Sequence, residues 1–123
     1  MWRILIVGAG GFVGAVLRYA VSGWVHRLVP AVFPFGTLTV NVVGSFCLGL
    51  LMSMAETWVI APGLRVFLTV GLLGAFTTFS TFSYETMVLF QERSFLLGFL
   101  NIAVSLILGL AAALAGLIVG RML

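Results

Sequence analysis

The stretch that decides the fold runs from Gly71 to Thr86 and reads GLLGAFTTFSTFSYET. It places seven hydroxyl side chains and three phenylalanines inside one apolar segment, residues 64–90. A helix needs about 20 apolar residues to cross a hydrocarbon core of about 30 Å, so this segment is long enough to span. Gly71 and Gly74, followed by hydroxyls that compete for backbone hydrogen bonds, favour an interruption of the helix. We predict a third membrane helix that is broken near its middle and whose freed carbonyls suit a cation.

Three further apolar segments have spanning length, and they cover residues 4–24, 35–55 and 95–119. Of the 123 residues, 63% are hydrophobic and only 7% are charged, whereas soluble domains carry about 25% charged residues. The mean hydropathy is +1.30. These values predict an all-α integral membrane protein with one four-helix domain, residues 1–123, in a lipid bilayer. With so few charges we expect no nucleic-acid surface.

The glycines of this chain favour close helix packing in lipid. Residues 4–14 read ILIVGAGGFVG, which looks like a dinucleotide-binding strand and turn. That site would need an acidic residue about 20 positions later, and the first acidic residue is Glu56. Small residues at spacings of three or four instead let membrane helices approach closely. The glycines predicted to do so are Gly10, Gly14, Gly44, Gly109, Gly116 and Gly120.

The basic residues, all of them arginines, give no preferred orientation in the membrane. With four spans, the N-terminus, second loop and C-terminus share one side, which holds Arg3, Arg65 and Arg121. The other side holds Arg18, Arg27 and Arg93, counting Arg18 near the end of the first helix. Because positive residues in short loops set orientation, a tie leaves both orientations open. We therefore hypothesise that the chain inserts both ways and that opposite copies pair as an antiparallel dimer.

Three polar or aromatic side chains on the second and third helices are candidates for an anion path. Phe79 and Phe82 are three apart and share a helix face. Because an aromatic ring has a positive edge, two rings presented edge-on can hold a small anion, although ordinary packing is the alternative. Asn41 is the only strongly polar residue of the second segment. It either donates hydrogen bonds to an anion or bonds another helix.

On the fourth helix, Asn101 and Ser105 are four residues apart and predict a short polar stripe on one face. Gly109 continues that stripe as a gap.

The stretch GTLTVN, residues 36–41, together with GLLGAFTTFSTFSYE resembles the CrcB/Fluc family of bacterial fluoride channels. The resemblance extends over the whole chain in length, helix count and motif order. It implies a passive, fluoride-selective channel of the bacterial inner membrane rather than an enzyme. Such a channel exports cytoplasmic fluoride and confers fluoride resistance. It also implies an antiparallel dual-topology homodimer with two narrow pores and a structural sodium ion at the dimer interface.

Carried over by motif, the resemblance implies specific roles for nine residues. The main-chain carbonyls of Gly74 and Thr77 would bind sodium, and Arg18 would lie near the vestibule, with snorkelling to lipid headgroups as its alternative role. The fluoride path would be lined by Asn41, Phe79, Ser80, Thr81, Phe82 and Ser105. The chain departs from the family at Ala75, where a second glycine is usual, and at Gly109, where a hydroxyl is common.

Two other classes of small membrane protein compete with this interpretation. A small multidrug exporter also has four helices and inserts both ways, but proton-coupled export needs a membrane carboxylate, typically on the first helix. The first helix here has none, and Glu85 lies toward one end of the third. A structural or lesion-forming subunit such as a holin has no reason to concentrate hydroxyls and phenylalanines on one helix.

Overall fold

The computed structural model describes all residues 1–123, and every regular element in it is helical. In hydrocarbon no water can satisfy the backbone, so a helix, which pairs its own N–H and C=O groups, is the natural form of these apolar segments. The helices are α1 (Trp2–Leu28), α2 (Phe35–Thr57), α3 (Pro62–Val66), α4 (Gly74–Phe76), α5 (Phe79–Gln91) and α6 (Phe95–Met122). A π-helical segment, Phe67–Leu73, joins α3 to α4.

Four spans are long and apolar enough to cross a membrane: Trp2–Leu28, Phe35–Thr57, Pro62–Gln91 and Phe95–Met122. The prediction of four apolar helices is confirmed. All four spans are a few residues longer than the predicted segments, because helical backbone continues into polar flanks such as His26, Arg27 and Arg121. The third span comprises α3, the π-helical segment, α4 and α5.

The α5–α6 turn is the only place where a residue other than glycine has a positive φ. Arg93 has φ 59°, and its N–H donates to the Phe90 carbonyl at 3.1 Å. The Ser94 N–H donates to the Leu89 carbonyl at 2.9 Å. This hydrogen-bond pair is a Schellman motif, which satisfies carbonyls at the end of α5 and turns the chain back into α6.

Helices α2 and α6 form the most extensive helix pair, and glycines allow their backbones to touch. A Cβ on Gly116 would collide with the Phe46 carbonyl oxygen, and one on Gly49 with the Ala113 carbonyl oxygen. The predicted close packing is confirmed at Gly10, Gly14, Gly44, Gly116 and Gly120. It is wrong for Gly109, where a Cβ would lie 4.0 Å from its nearest neighbour, Ser45 Oγ, because that face of α6 lies away from the α2 backbone.

We expect Gly116→Ala to lower the free energy of unfolding by about 1–3 kcal/mol, since the added methyl meets main-chain atoms that cannot move aside. Gly109→Ala on the same helix is the matched control. It should be neutral or should stabilise by up to about 1 kcal/mol, because alanine favours the helix over glycine. Equilibrium unfolding in mixed micelles titrated with sodium dodecyl sulfate measures both. Equal effects of the two substitutions would contradict the packing described.

The π-helical segment Phe67–Leu73 packs against α1 and was not predicted. A Cβ on Gly14 would collide with the Leu72 carbonyl oxygen, and one on Gly10 would lie 2.5 Å from the Phe67 carbonyl oxygen. The Gly74 N–H reaches back five residues to the Thr69 carbonyl, as π-helical pairing requires. The wider π-helical backbone fits here because the facing surface of α1 carries glycines.

The third span bends between α4 and α5. Thr77 (φ −84°, ψ 157°) and Thr78 (φ −150°, ψ 116°) both have extended backbone, whereas Phe76 ends one helix and Phe79 begins the next. The bend therefore lies inside the hydroxyl-rich stretch, between two helical segments of the same apolar span.

Candidate functional site

The side chain of Asn41 on α2 is hydrogen-bonded to the bend of the third span. Its Nδ2 donates to the Thr78 carbonyl oxygen at 3.0 Å, and its Oδ1 accepts from the Thr78 N–H at 2.8 Å. The carboxamide thus satisfies both main-chain polar groups of one extended residue. Asn41 therefore bonds another helical span, which was one of its two predicted alternatives. One of its two Nδ2 hydrogens remains available for another acceptor.

Thr78 also caps α5. Its Oγ1 accepts from the Thr81 N–H at 3.2 Å, which satisfies one of the donors that every helix start leaves unpaired. The same hydroxyl donates to Thr81 Oγ1 at 3.0 Å and lies 3.3 Å from Ser80 Oγ. Thr78 therefore gathers the hydroxyls of Ser80 and Thr81 at the first turn of α5.

A groove of about 280 Å³ opens beside the bend, and we call it the small groove. Its lining includes Asn41, Gly74, Thr77, Thr78 and Phe79. Gly44 of α2 allows the bend to approach, because a Cβ there would collide with Thr77 Cγ2. Four residues with predicted roles, Asn41, Gly74, Thr77 and Phe79, are thus brought together.

The rings of Phe79 and Phe82 are in contact, with centroids 5.6 Å apart and planes inclined at 46°. The prediction that they share a face is confirmed. Phe79 is 77% exposed within a single copy of the chain, and Ser80 beside it is also exposed. The start of α5 therefore presents an aromatic ring and a hydroxyl on the outside of one bundle.

A larger cavity of about 690 Å³, called the large cavity below, lies at the end of the bundle where α1 meets α2. Arg18, Thr37, Thr81 and Glu85 are among the residues that line it. The Thr37 hydroxyl donates to Glu85 Oε1 at 2.8 Å and joins α2 to α5. Sequence analysis missed this pair, and the signal for it was the presence of Thr37 within GTLTVN.

Thr78 is the one residue that lines both the small groove and the large cavity. Both hollows therefore reach the bend at Thr78, whose main chain is bonded by the Asn41 carboxamide. The side chains around Thr78 that can donate a hydrogen bond are uncharged, and Arg18 is the only arginine that lines either hollow.

A chain of hydrogen bonds links α5 to α6 behind the phenylalanine pair. The Thr86 hydroxyl donates to the Phe82 carbonyl at 2.7 Å, and Asn101 Nδ2 donates to Thr86 Oγ1 at 2.9 Å. Ser105 Oγ donates to Asn101 Oδ1 at 3.4 Å, so the predicted Asn101–Ser105 stripe is confirmed. Ser105 lines neither the small groove nor the large cavity, and this chain of bonds is its connection to the phenylalanines.

We expect Thr86→Val to lower the free energy of unfolding by about 1 kcal/mol, because it leaves the Asn101 amide, only 1% exposed, without its acceptor. Thr39→Val is the matched control, since the Thr39 hydroxyl bonds only the Phe35 carbonyl of its own helix. Unfolding in mixed micelles compares the two. A Thr86→Val protein as stable as the Thr39→Val protein would show that the interhelical bond does not stabilise the fold.

A side-chain metal site is not present, since no three His, Cys, Asp or Glu residues are grouped together. A cation at this site would depend on main-chain oxygen atoms, which are the ligands that hard cations prefer. Gly74 and Thr77, whose carbonyls are the oxygen donors predicted for that purpose, both border the small groove.

Comparison with known proteins gives one consistent family. The family model described as "CrcB-like protein, Camphor Resistance (CrcB)" matches residues 5–117. A relative from Sulfurovum sp. (strain NBC37-1), named "Fluoride-specific ion channel FluC", is 46% identical over 99% of this chain and 96% of its own length.

Two further relatives agree in length and name. The "Fluoride-specific ion channel FluC" of Parabacteroides distasonis is 43% identical over 98% of this chain and 94% of its own length. The "Fluoride-specific ion channel FluC 1" of Methanosarcina acetivorans is 47% identical over 94% of this chain and 88% of its own. The match thus covers all four spans and the bend, and the chain belongs to the CrcB family.

Proposed function

We propose that this chain is a passive, fluoride-selective ion channel that exports cytoplasmic fluoride across the bacterial plasma membrane and so confers fluoride resistance. The observation that carries the proposal is its similarity, over nearly its whole length, to relatives named fluoride-specific ion channels. The four apolar spans support a multi-pass membrane location. The gathering of Asn41, Phe79 and the α5 hydroxyls around the bend supports a polar path at membrane depth.

In the proposed path, fluoride enters through the large cavity past Arg18 and meets Thr78 and Thr81 at the bend. Beyond it come the remaining Nδ2 hydrogen of Asn41 and the ring edges of Phe79 and Phe82. Ser80 and Ser105 are proposed to continue the path. Hydroxyl, amide and ring-edge donors replace the hydration shell of a small anion without a full positive charge, so the ion can leave again.

The membrane potential supplies the driving force. It is worth about 2.3 kcal/mol per charge per 100 mV, which moves an anion out of a cell that is negative inside. No nucleotide or proton coupling is required. Arg18 lines the large cavity and not the small groove, so its full positive charge does not lie beside Asn41 and Phe79, where it would hold an anion too strongly.

We propose that the working unit is an antiparallel homodimer. One copy exposes Gly74, Phe79 and Ser80 around an open groove at membrane depth. Backbone and hydroxyl groups beside an irregular segment are tolerated in a membrane only when protein or water covers them. An inverted copy of the chain, permitted by the even division of the arginines, would cover the small groove and complete the path.

We further propose that the bend is the functional break of the third helix and that a structural sodium ion binds there. The donor set fits, because the Thr77 carbonyl accepts no backbone N–H and both Thr77 and Gly74 border the small groove. Two carbonyls from each of two copies would give four hard oxygen ligands. When bound, the ion supplies positive charge that ties the two bends together.

Reconstitution in liposomes tests the proposal. Liposomes are loaded with potassium fluoride or potassium chloride and diluted into a solution that lacks these salts. Valinomycin is added to let potassium leave, and ion-selective electrodes record the efflux of each anion. Fast fluoride efflux with chloride retained is the expected result. Equal rates for the two anions, or no fluoride efflux, would overturn it, and transport of cationic dyes would indicate a small multidrug exporter instead.

A further inference from the structure

At the bend, two main-chain carbonyls do not accept the N–H groups that they would accept in an α-helix, because two side chains accept those N–H groups instead. In an α-helix each carbonyl accepts from the N–H four residues later. For Gly74 that donor is the Thr78 N–H, and for Thr77 it is the Thr81 N–H. Neither donor makes its helical bond here.

The donor for Gly74 is taken by Asn41. The Thr78 N–H donates to Asn41 Oδ1 at 2.8 Å, and Asn41 Nδ2 holds the same residue by its carbonyl at 3.0 Å. The preceding helical bond, from the Thr77 N–H to the Leu73 carbonyl, is still made at 3.1 Å. The α-helical pairing that follows the π-helical segment therefore continues up to the N–H that Asn41 accepts.

The donor for Thr77 is taken by Thr78. The Thr81 N–H donates to Thr78 Oγ1 at 3.2 Å, in the manner of a helix cap, and no backbone N–H donates to the Thr77 carbonyl. The two side chains therefore free the carbonyls of two residues three apart. Both residues border the small groove.

We propose that Asn41 and Thr78 are positioning residues that create the cation site, by taking the N–H groups that would otherwise close the carbonyls of Gly74 and Thr77. This inference rests on the sodium ion of the proposed function and assigns Asn41 a role separate from anion binding. Asn41 Oδ1 shapes the cation site by accepting the Thr78 N–H, and the remaining Nδ2 hydrogen is available to the anion. A pair of glycines is not needed for the bend, since Gly74 is followed by Ala75 and the span still bends.

The test separates the two roles of Asn41. The full-length protein, purified in detergent and exchanged into N-methylglucamine chloride, is titrated with sodium chloride at constant ionic strength, and the thermal unfolding midpoint is followed. Potassium chloride is the ion control. In the unsubstituted protein, sodium is expected to raise the midpoint by several degrees, because a ligand bound only by the folded state stabilises it.

Asn41→Asp keeps an acceptor for the Thr78 N–H, so the sodium response should remain while fluoride efflux falls. Asn41→Leu and Thr78→Val remove the acceptors, and each should require about tenfold more sodium or show no response. Thr39→Val, whose hydroxyl bonds only its own helix, should respond as the unsubstituted protein does. Size-exclusion chromatography confirms that each variant is a folded dimer.

Normal sodium responses in both Asn41→Leu and Thr78→Val would overturn the positioning role, as would a lost response in Asn41→Asp. No sodium response in the unsubstituted protein would overturn the cation site and this inference with it. Fluoride efflux is measured independently on the same preparation. Failure of the channel proposal is therefore distinguishable from failure of the positioning role.

Discussion

Replacing Asn41 by aspartate is expected to lower fluoride efflux from liposomes by about 100-fold or more while the dimer remains intact. A carboxylate at this position places a negative charge beside the proposed anion path. Two unit charges 4 Å apart interact with about 4 kcal/mol at an effective dielectric of 20, and 1.4 kcal/mol corresponds to a factor of ten in rate. Arg18, the only arginine that lines either hollow, lines the large cavity, whereas Asn41 lines the small groove, so we expect no arginine to neutralise this charge.

Phe82→Ile is expected to reduce fluoride efflux to a similar extent. Isoleucine preserves the apolar character of the position but removes the ring that contacts Phe79 and whose edge is proposed to face the anion path. Phe99→Ile is the matched control, because Phe99 is 64% exposed on α6 and its ring contacts Phe90, whereas the Phe82 ring contacts Phe79. Efflux electrodes and size-exclusion chromatography give flux and dimer content. Normal flux in both Asn41→Asp and Phe82→Ile would remove these residues from the proposed pore.

An uneven number of arginines on the two sides of the membrane is expected to abolish fluoride export. Producing two variants with opposite imbalances in the same cell is expected to restore it. Arg27→Gln with Arg93→Gln leaves three arginines on one side, Arg3, Arg65 and Arg121, and one on the other, Arg18. Because short-loop arginines set orientation, this variant should insert one way and form no antiparallel pairs. The opposite pair, Arg3→Gln with Arg121→Gln, should be equally inactive alone.

Growth of a fluoride-sensitive bacterial strain on fluoride measures the effect, first with each variant and then with both together. The control is Arg3→Gln with Arg93→Gln, which removes one arginine from each side and should stay active alone. A biased variant that protects cells fully by itself would contradict the antiparallel dimer.

The sequence was sufficient to predict the four apolar helices, because spanning length and the near absence of charge leave few alternatives. It also predicted that Phe79 and Phe82 share a face and that Asn101 pairs with Ser105, since those relations depend only on spacing along a helix. The bend occurs within the hydroxyl-rich stretch, where glycine and competing side chains weaken the helix.

Features that depend on contacts between distant segments could not be predicted. The π-helical segment Phe67–Leu73 reflects the close approach of α1, and the Thr37–Glu85 bond joins residues 48 apart in sequence. Spacing placed Gly109 among the packing glycines, yet which side of α6 meets α2 is a property of the assembled bundle. For Asn41 the sequence left two alternatives, an anion or another helix, and did not identify its partner, the Thr78 main chain.

The hydrogen bonds that shape the bend lie entirely within one chain, between Asn41, Thr78 and Thr81. Each copy therefore carries its half of the proposed interface already formed before it meets a partner. Pairing then requires rigid docking in the plane of the membrane, with little ordering of the chain to oppose it, and preorganised surfaces bind more tightly for that reason. The polar groups of the small groove stay uncovered until that docking occurs, which favours pairing. The rate of channel assembly would then depend on the encounter of oppositely inserted copies rather than on refolding.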